Sequence, residues 1–360
     1  MIIRSRSPVR ISFGGGGTDV PPFCDEHGGC VVSATINKYS YATLESRTDS
    51  EIHIESGNFL KKLRFDSVDE MTYNNELDLL KAAIKSLNTT KMGLNIFLRS
   101  DVPPKSGLGG SASCFVALIG LFNHMRMNNM TNYEIAELAY KIEREELKIG
   151  GGKQDQYAAV FGGINYIEFG NGWVRVNPLR MKKDHILELE KNLVLAYVGD
   201  RPKEDVVREY ITGKIKTNDI IGDQVKALIE KKESVIDAMQ KTKVIAQEMR
   251  RSLMTGDLIG FGELMHKAWE EKKKFSKMVS NPYINGLYDL ARKHGAIGGK
   301  ITGAGGGGFM LFFCEPNKEQ IVSEQLEKAG AKPISFAFEF DGLQTWEVNY
   351  LSGKVWRNEG

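Results

Sequence analysis

The chain has 360 residues, of which 41% are hydrophobic, 26% charged and 9% aromatic, and these values exclude a disordered, collagen-like or fibrous protein. At about 150 residues per domain, this length predicts two domains. A formal net charge of +2 excludes a global field that would draw the protein to nucleic acid or to an anionic membrane, so we expect any anion to bind at a local site.

The cysteines and the N-terminal segment bear on the compartment of the protein. The four cysteines form no CxxC pair, which favours reduced thiols over a disulfide framework or a thiolate zinc site. The N-terminal segment lacks the apolar run of a signal peptide, and the longest apolar stretch, residues 114–122, is too short to cross a bilayer. We therefore expect a cytoplasmic protein with no membrane or nucleic-acid partner.

The first half of the chain alternates predicted strands and helices. Alternating β-branched, aromatic and polar residues predict strands over 31–45, 51–55, 62–65 and 94–100. Apolar residues at helical spacing predict helices over 77–87 and 114–125. Thr131 followed by Glu134 is typical of a helix N-cap, and we expect this helix to end at the glycines of 150–152.

The composition changes near residue 186. A predicted strand over 192–199 is followed by Lys/Glu-rich helices from about 220 to 275, and then by a strand, a helix and a final strand. The charge run at 270–277 is typical of a solvated helix face. These patterns predict an α+β fold of two lobes, residues 1–185 and 186–360, with a cleft between them.

Residues 103–113, PPKSGLGGSAS, follow a predicted strand and lead directly into an apolar helix. Glycines let the backbone turn there, and the free amides at a helix N-terminus bind an anion such as phosphate. The alternative is a glycine-rich loop that only turns the chain. We expect the phosphates of a nucleotide to contact Pro104, Lys105, Ser106, Gly107, Leu108, Gly109, Gly110, Ser111, Ala112 and Ser113.

Two other kinds of phosphate loop fit the sequence less well. Its glycine spacing also satisfies the dinucleotide fingerprint, but a polar loop separates the strand from the glycines and no second strand ends about 20 residues later. A P-loop requires Gly-Lys followed by Ser or Thr, whereas Gly299 and Lys300 are followed by Ile301. The dinucleotide site is the weaker alternative, and the P-loop is excluded.

Two further glycine segments flank this one. Residues 7–22 place Arg10 before a glycine turn and Asp19 after it; an arginine can stabilise charge on a transferred phosphoryl group, and short carboxylates bind polyols. Residues 298–313 predict a strand, a glycine turn and another strand. This turn, with Gly305 and Gly306, either closes over a ligand or is a plain hairpin.

Two carboxylates near residue 150 are candidates for chemistry. Asp155 lies just past a predicted helix end, where it can accept a proton from an attacking hydroxyl or simply cap the next helix. Glu143 lies at the edge of an apolar helix face, where it can hold Mg²⁺ together with the Ser111 hydroxyl or stay solvated.

The three glycine motifs, SPVRISFGGGGTD, PPKSGLGGSAS and KITGAGGGGF, resemble in this order those of the GHMP kinases, the superfamily of galactokinase, homoserine, mevalonate and phosphomevalonate kinases. The resemblance spans residues 7–310. It implies a ribosomal-protein-like βαβ N-terminal lobe and an α+β C-terminal lobe, with ATP bound between them. The implied contacts are residues 106–113 with ATP, Ser111 and Glu143 with Mg²⁺, catalytic Asp155 beside Arg10, and Thr18 and Asp19 with sugar hydroxyls.

Within that superfamily, GGGTD, IERE followed by GGKQDQYAAVFGG, and a Trp-x-x-Lys-Lys helix resemble the D-glycero-D-manno-heptose 7-phosphate kinases and the kinase domains of fucokinases. Galactokinases carry Glu-His where this chain has Gly16 and Gly17, which makes galactose a weak candidate. The resemblance implies phosphorylation of the C1 oxygen of the heptose 7-phosphate. L-Fucose or another hexose is the alternative acceptor, and a sugar sensor without chemistry is the non-enzyme alternative.

A sugar phosphate on a protein of low net charge requires local cations. Lys272 and Lys273 neighbour Trp269 on one predicted helix, and helical spacing does not decide between them. Lys153 and Arg201 are less favoured alternatives. The sequence also leaves a homodimer open.

Overall fold

The computed structural model describes residues 1–58, 60–74, 76–88, 91–126, 130–200 and 220–348. The strands are β1 (Ile2–Gly14), β2 (Gly29–Ser46), β3 (Ile52–Ser56), β4 (Lys61–Phe65), β5 (Leu94–Ser100), β6 (Ile164–Gly170), β7 (Trp173–Pro178), β8 (Leu193–Tyr197), β9 (Ala296–Ile301), β10 (Phe309–Cys314), β11 (Lys332–Ile334) and β12 (Gln344–Glu347). The helices are α1 (Phe23–His27), α2 (Asp78–Leu87), α3 (Gly110–Arg126), α4 (Asn132–Lys141), α5 (Gln154–Phe161), α6 (Lys183–Lys191), α7 (Ile220–Ile229), α8 (Glu233–Thr255), α9 (Leu258–Lys272), α10 (Pro282–Lys293) and α11 (Glu319–Lys328).

The first sheet has eight strands built around the long strand β2. Its path is β12-β1-β2-β5-β3-β4, and β6 also pairs with β2 and carries β7 at its other edge. All of these pairs are antiparallel except β3 with β5, which are joined through α2. The strands predicted over 31–45, 51–55, 62–65 and 94–100 are confirmed as β2 to β5, and the helices predicted over 77–87 and 114–125 are confirmed as α2 and α3. The buried helix α3 packs on β1 and β2, and so forms one wall of the N-terminal core.

The second sheet has four antiparallel strands in the order β11-β8-β10-β9. The helices predicted between residues 220 and 275 are confirmed as α7, α8 and α9. The chain then returns to the first sheet, because β12 pairs with β1 and Phe338 forms a bridge with Ile36. The expectation that residues 186–360 form one contiguous lobe is thereby corrected for the last strand, whose short polar pattern does not reveal its partner.

A shared apolar core joins the two sheets. Val9, Ile11 and Phe13 of β1 are buried in the same cluster as Phe261 of α9 and Phe313 of β10. The ring of Phe13 meets that of Phe261 edge to face, with 5.2 Å between centroids. The second half of β1 therefore packs into the core that the two sheets share, and the glycine turn that follows it lies between the lobes.

The helix that begins after Thr131 has the predicted capping box with Glu134, but it does not continue to the glycines at 150–152. It ends at Lys141 and passes into a π-helical turn, Ile142–Glu146. Leu147 then closes the turn by donating its amide to the Ile142 carbonyl. Such turns widen the helix locally and are frequent at functional sites, and this one carries Glu143.

Candidate active site

Four loops surround one cavity of about 200 Å³ between the lobes. These are the glycine turn after β1, the loop from β5 to α3, the segment that precedes α5, and the turn between β9 and β10. The three glycine motifs of the sequence therefore lie at one site, although about 290 residues separate the first from the last. Arg10, Asp19, Ser111, Glu143 and Asp155, all selected from the sequence, line the cavity.

Arg10 and Asp155 form an ion pair at the centre of the cavity. The Nε and Nη2 atoms of Arg10 lie 2.9 Å and 2.7 Å from Oδ1 of Asp155. The arginine side chain is 5% exposed and that of Asp155 is 29% exposed, so the carboxylate faces the open side of the pair. A Cβ atom placed on Gly109 would lie 3.4 Å from Oδ2 of Asp155. That oxygen is therefore directed at the loop expected to hold phosphate.

The same arginine fixes that loop. Its Nη1 donates to the Gly107 carbonyl at 2.5 Å, and its backbone amide donates to the Leu108 carbonyl at 2.9 Å. From the other lobe, the Thr302 hydroxyl donates to the Gly107 carbonyl at 3.2 Å. Gly107 and Gly109 adopt φ of 83° and 74°, where a side chain would be strained. These bonds occupy the Gly107 and Leu108 carbonyls, so neither oxygen is left unpaired beside a bound anion.

Two of the side chains in the predicted phosphate loop serve the fold instead, and a third residue, Ser106, supports the loop through its backbone. Leu108 is fully buried in the core between the lobes, and Ser106 is 3% exposed with its carbonyl bound to the Phe309 amide. The Ser113 hydroxyl donates to the Ser7 carbonyl of β1 at 2.7 Å and is unavailable to a ligand. Ser111, in the first turn of α3, is exposed and lines the cavity. The prediction for this loop is thus corrected for the Leu108 and Ser113 side chains.

Glu143 and Ser111 line one side of the cavity. Burial raises the pKa of the Glu143 carboxyl, with a further contribution from Asp155, while Arg144 and a hydrogen bond from Gln156 act in the opposite direction. No cluster of three or more acidic, His or Cys side chains able to hold a metal occurs among the described residues. A carboxylate and a hydroxyl beside a phosphate loop nevertheless fit Mg²⁺, which is usually held by one or two carboxylates and the phosphates of its nucleotide.

The Asp19 carboxylate is buried and organises the loops around it. Its Oδ1 accepts hydrogen bonds from the Gly17 amide at 2.9 Å and from Nε2 of Gln154 at 3.3 Å, and Oδ2 accepts from the Gln154 amide at 3.1 Å. Asp19 thereby caps the N-terminus of α5, the helix that carries Asp155. Gly152 permits this approach, because a Cβ atom there would lie 1.8 Å from Oδ2 of Asp19.

The structure corrects the expectation that Thr18 contacts sugar hydroxyls. Its hydroxyl donates toward the carbonyls of Gly15 and Cys30, at 2.8 Å and 3.0 Å, and accepts from the Cys30 amide at 3.1 Å. Thr18 is fully buried and does not line the cavity. Its function is to tie the glycine turn to β2.

The structure separates the two candidate lysines. Lys272 is 6% exposed, lines the cavity and donates to the Gly16 carbonyl at 3.1 Å. Lys273 lies outside the cavity and forms an ion pair with Glu270 at 2.7 Å. Gly17 leaves room for the lysine, since a Cβ atom there would lie 3.0 Å from Nζ of Lys272. The paired prediction is therefore corrected to Lys272 alone.

Lys153, one of the two less favoured cations, does not take the place of Lys272 in the cavity. Lys153 is 7% exposed and its ammonium lies over the ring of Tyr140, outside the cavity lining. Arg201 lies outside the described residues.

The predicted contact of the third glycine turn is shifted by a few residues. Gly305 and Gly306 pack against Val279, whose carbonyl accepts the Gly306 amide at 2.8 Å. The residues of this turn that line the cavity are Thr302, Gly303 and Ala304. The expectation that Gly305 and Gly306 contact substrate is corrected accordingly.

Sequence reasoning missed Lys300, which joins Arg10 and Lys272 as a third buried basic side chain in the cavity. It is 4% exposed, and its ammonium donates to the carbonyls of Ser12 and Ile301, both at 2.8 Å. Burial, Lys272 and Arg10, in that order, hold the pKa of Lys300 well below its usual value. The Gly299-Lys300 pair does not fit a P-loop. Its position at the end of a predicted strand that leads into a glycine turn is the sequence feature that indicates a lysine at the site.

Sequence reasoning also missed buried polar atoms that line the cavity and have no hydrogen-bond partner among the described residues. They are Ser12 Oγ, Arg144 Nε, Gln154 Oε1, Gln156 Oε1 and Gln224 Nε2. Buried polar groups are normally satisfied, so such a set in one cavity indicates a polar ligand.

A second cavity of about 400 Å³ adjoins the first and shares Lys105, Gly110 and Ser111 with it. Its lining is largely apolar and includes Leu98 and Phe115. The two cavities together provide a charged end and an apolar end on either side of the N-terminus of α3, which suits a nucleotide.

A phosphate loop at a helix N-terminus that faces a carboxylate–arginine pair, set in a two-lobed α+β fold, defines a small-molecule kinase. The chain belongs to the GHMP kinases: the N-terminal domain of that family matches residues 78–163 and its C-terminal domain matches residues 248–332. Membership of this family implies the use of ATP.

The proteins most informative about the substrate class are relatives of this chain that phosphorylate sugars or sugar phosphates. The chain is 36% identical to the D-glycero-alpha-D-manno-heptose 7-phosphate kinase of Campylobacter jejuni over 351 residues, covering 96% of this chain and 99% of the relative. The crystal structure of a D-glycero-D-manno-heptose 1-phosphate kinase from Bacteroides thetaiotaomicron has a TM-score of 0.79 and 30% identity, covering 97% of this chain and 100% of that chain. An L-fucokinase/L-fucose-1-P guanylyltransferase of Bacteroides fragilis is 25% identical over 95% of this chain, which spans 38% of that longer protein. These relatives and the site together support the role of a sugar kinase. In the part of the chain that the structure describes, no helix has the length and apolar character of a membrane span.

Proposed function

We propose that the protein transfers the γ-phosphoryl group of ATP to the C1 oxygen of D-glycero-D-manno-heptose 7-phosphate, with Mg²⁺ as cofactor. The observation that carries the choice of acceptor is the position of Lys272 in the cavity that also holds Asp155. Lys272 is a buried hydrogen-bond donor there, and its ammonium binds a phosphate more strongly than a neutral sugar hydroxyl. The relative with 36% identity is named for this substrate.

ATP is proposed to occupy both cavities. Its adenosine fits the apolar cavity, and its phosphates reach the amides of the loop that ends in Gly110 and Ser111, at the positive end of α3. The Ser111 hydroxyl and the Glu143 carboxylate are the groups proposed to hold Mg²⁺, which neutralises phosphate charge when bound.

Asp155 is proposed as the catalytic carboxylate. The O–H bond of the sugar breaks as its proton passes to Oδ2 of Asp155, the sugar oxygen forms a bond to the γ-phosphorus, and the bond from that phosphorus to the β-γ bridging oxygen breaks to release ADP. Arg10 holds Oδ1 of the carboxylate in place and lies beside the loop where phosphate charge develops. The sensor alternative is disfavoured because the residues proposed as base, phosphate loop and metal ligands all line one cavity.

Gly16 and Gly17 are proposed to leave space for a long acceptor. A Cβ atom on Gly16 would lie 3.4 Å from Ser12 Oγ and 3.5 Å from Gln154 Nε2, so the absence of side chains exposes these polar groups to the cavity. Asp19 stays a proposed contact to a sugar hydroxyl through the oxygen that accepts a single hydrogen bond.

The proposal is tested by ADP release with a panel of sugars, each with and without a terminal phosphate. We expect kcat/KM for the heptose 7-phosphate to exceed that for the unphosphorylated heptose, L-fucose and galactose by at least about tenfold, the effect of one charge-assisted contact. Equal turnover of an unphosphorylated sugar would refute the acceptor but not the kinase activity. The cytoplasmic location and the homodimer stay predictions, to be checked by cell fractionation and sedimentation velocity.

A further inference from the structure

Gln224 of α7 is a buried polar residue in the wall of the cavity between the lobes. The residue is 1% exposed and lines the cavity between the lobes, and its Nε2 has no hydrogen-bond partner among the described residues. Burying an amide N–H without an acceptor costs free energy, so such groups are rare unless a ligand completes them.

Contacts with two neighbouring segments fix the position of helix α7 and so place the Gln224 side chain. The Ser276 hydroxyl, just after α9, donates to the Asp223 carboxylate at 2.9 Å. Ile220 is buried, and a Cβ atom on Gly306 would lie 3.0 Å from its Cδ1 atom. Helix α7 therefore packs against both the segment that follows Lys272 and the third glycine turn, and it brings Gln224 to the lining that contains Lys272.

The chemistry of this part of the cavity favours an anionic acceptor of hydrogen bonds. The Gln224 amide and the Lys272 ammonium are donors, and Lys300 lies close enough to Lys272 for the charge of one to lower the pKa of the other. The neighbouring carboxylate, Asp19, already accepts three hydrogen bonds from the protein. A hydroxyl can accept from the amide alone, whereas a phosphate has enough oxygens to accept from the amide and from the Lys272 ammonium together.

We propose that Gln224 is a specificity-determining residue, which donates a hydrogen bond from Nε2 to the terminal phosphate of the acceptor sugar beside Lys272. This inference rests on the proposed function, because only a phosphorylated acceptor brings such a group to the cavity.

The test compares Gln224→Glu, which has the same shape but places a carboxylate against the phosphate, with Gln224→Met, which removes the amide without adding charge. Gln247→Glu is the matched control, because Gln247 lies on the exposed face of α8. Dissociation constants for heptose 7-phosphate, the unphosphorylated heptose and ADP are measured by calorimetry. Melting temperatures of all variants show whether they are folded, and Gln224→Met keeps the test valid if Gln224→Glu does not fold.

For heptose 7-phosphate we expect Kd to rise about 30-fold in Gln224→Glu and about fivefold in Gln224→Met, with Gln247→Glu within about twofold of wild type. The Kd values for ADP and the unphosphorylated heptose should change less than about threefold. An equal rise for both sugars, a rise for ADP, or no change would each overturn the inference. The wild type is measured first: no preference for the phosphorylated sugar overturns the proposed function, whereas a preference that survives Gln224→Glu overturns only the role of Gln224.

Discussion

Replacing Asp155 by Asn tests the catalytic assignment with a small change of shape. The amide oxygen can still accept hydrogen bonds from Arg10, but the side chain can no longer accept the proton of the sugar hydroxyl. The loss of a general base typically lowers a rate by about 10² to 10⁴. We therefore expect kcat to fall by at least about 100-fold, while the KM for ATP changes less than about threefold because the phosphate loop is held by other contacts.

The structure also indicates how much Asp155→Asn lowers the free energy of unfolding. Arg10 is 5% exposed, so Asp155→Asn leaves a buried guanidinium with a neutral partner, whereas the carboxylate itself is 29% exposed and partly screened. Retained hydrogen bonds limit the cost to about 1–2 kcal/mol, which corresponds to a decrease of a few degrees in melting temperature. Differential scanning fluorimetry measures this decrease. It is too small to unfold the enzyme at assay temperature, so a loss of kcat would report on chemistry.

Asp289→Asn is the matched control, because Asp289 lies on the exposed face of α10. It should leave kcat and melting temperature unchanged. An Asp155→Asn enzyme that keeps more than about a third of wild-type kcat would show that another group accepts the proton.

Lys272→Ala should raise the KM for heptose 7-phosphate by one to two powers of ten, about 1.5–3 kcal/mol for a lost charge-assisted contact, while Lys273→Ala should leave it unchanged. Equal effects of the two changes in steady-state kinetics would contradict the separation of these lysines. Gly109→Val should abolish ATP binding in calorimetry, because a branched side chain at φ 74° would enter the space beside Asp155; unchanged affinity would place the nucleotide elsewhere. Ser111→Ala and Glu143→Gln should each raise the Mg²⁺ concentration for half-maximal rate by about tenfold, and a magnesium titration with unchanged midpoint would rule out both as ligands.

Much of the fold followed from local pattern. Capping residues, helical spacing and strand alternation act within a few residues of one another. The strands β2 to β5, the helices α2 and α3, the start of α4 and the helices between residues 220 and 275 could therefore be predicted. The strand β12 could not, because its place beside β1 depends on a partner more than 330 residues away. The π-helical turn that carries Glu143 was also missed, since no local residue pattern distinguishes it from continued α-helix.

The sequence by itself was enough to recognise the three glycine motifs, including the proposed phosphate loop, and to select Arg10 and Asp155 as candidates. Each motif consists of contiguous residues, so the turn that its glycines permit can be read locally. Only the tertiary structure decided which polar side chains reach the cavity. Successive residues on a helix point about 100° apart, so Lys272 enters the site while Lys273 turns to Glu270. The partners of Thr18 and the burial of Lys300 and Gln224 depend on segments distant in sequence, and packing of the two lobes brings those segments together.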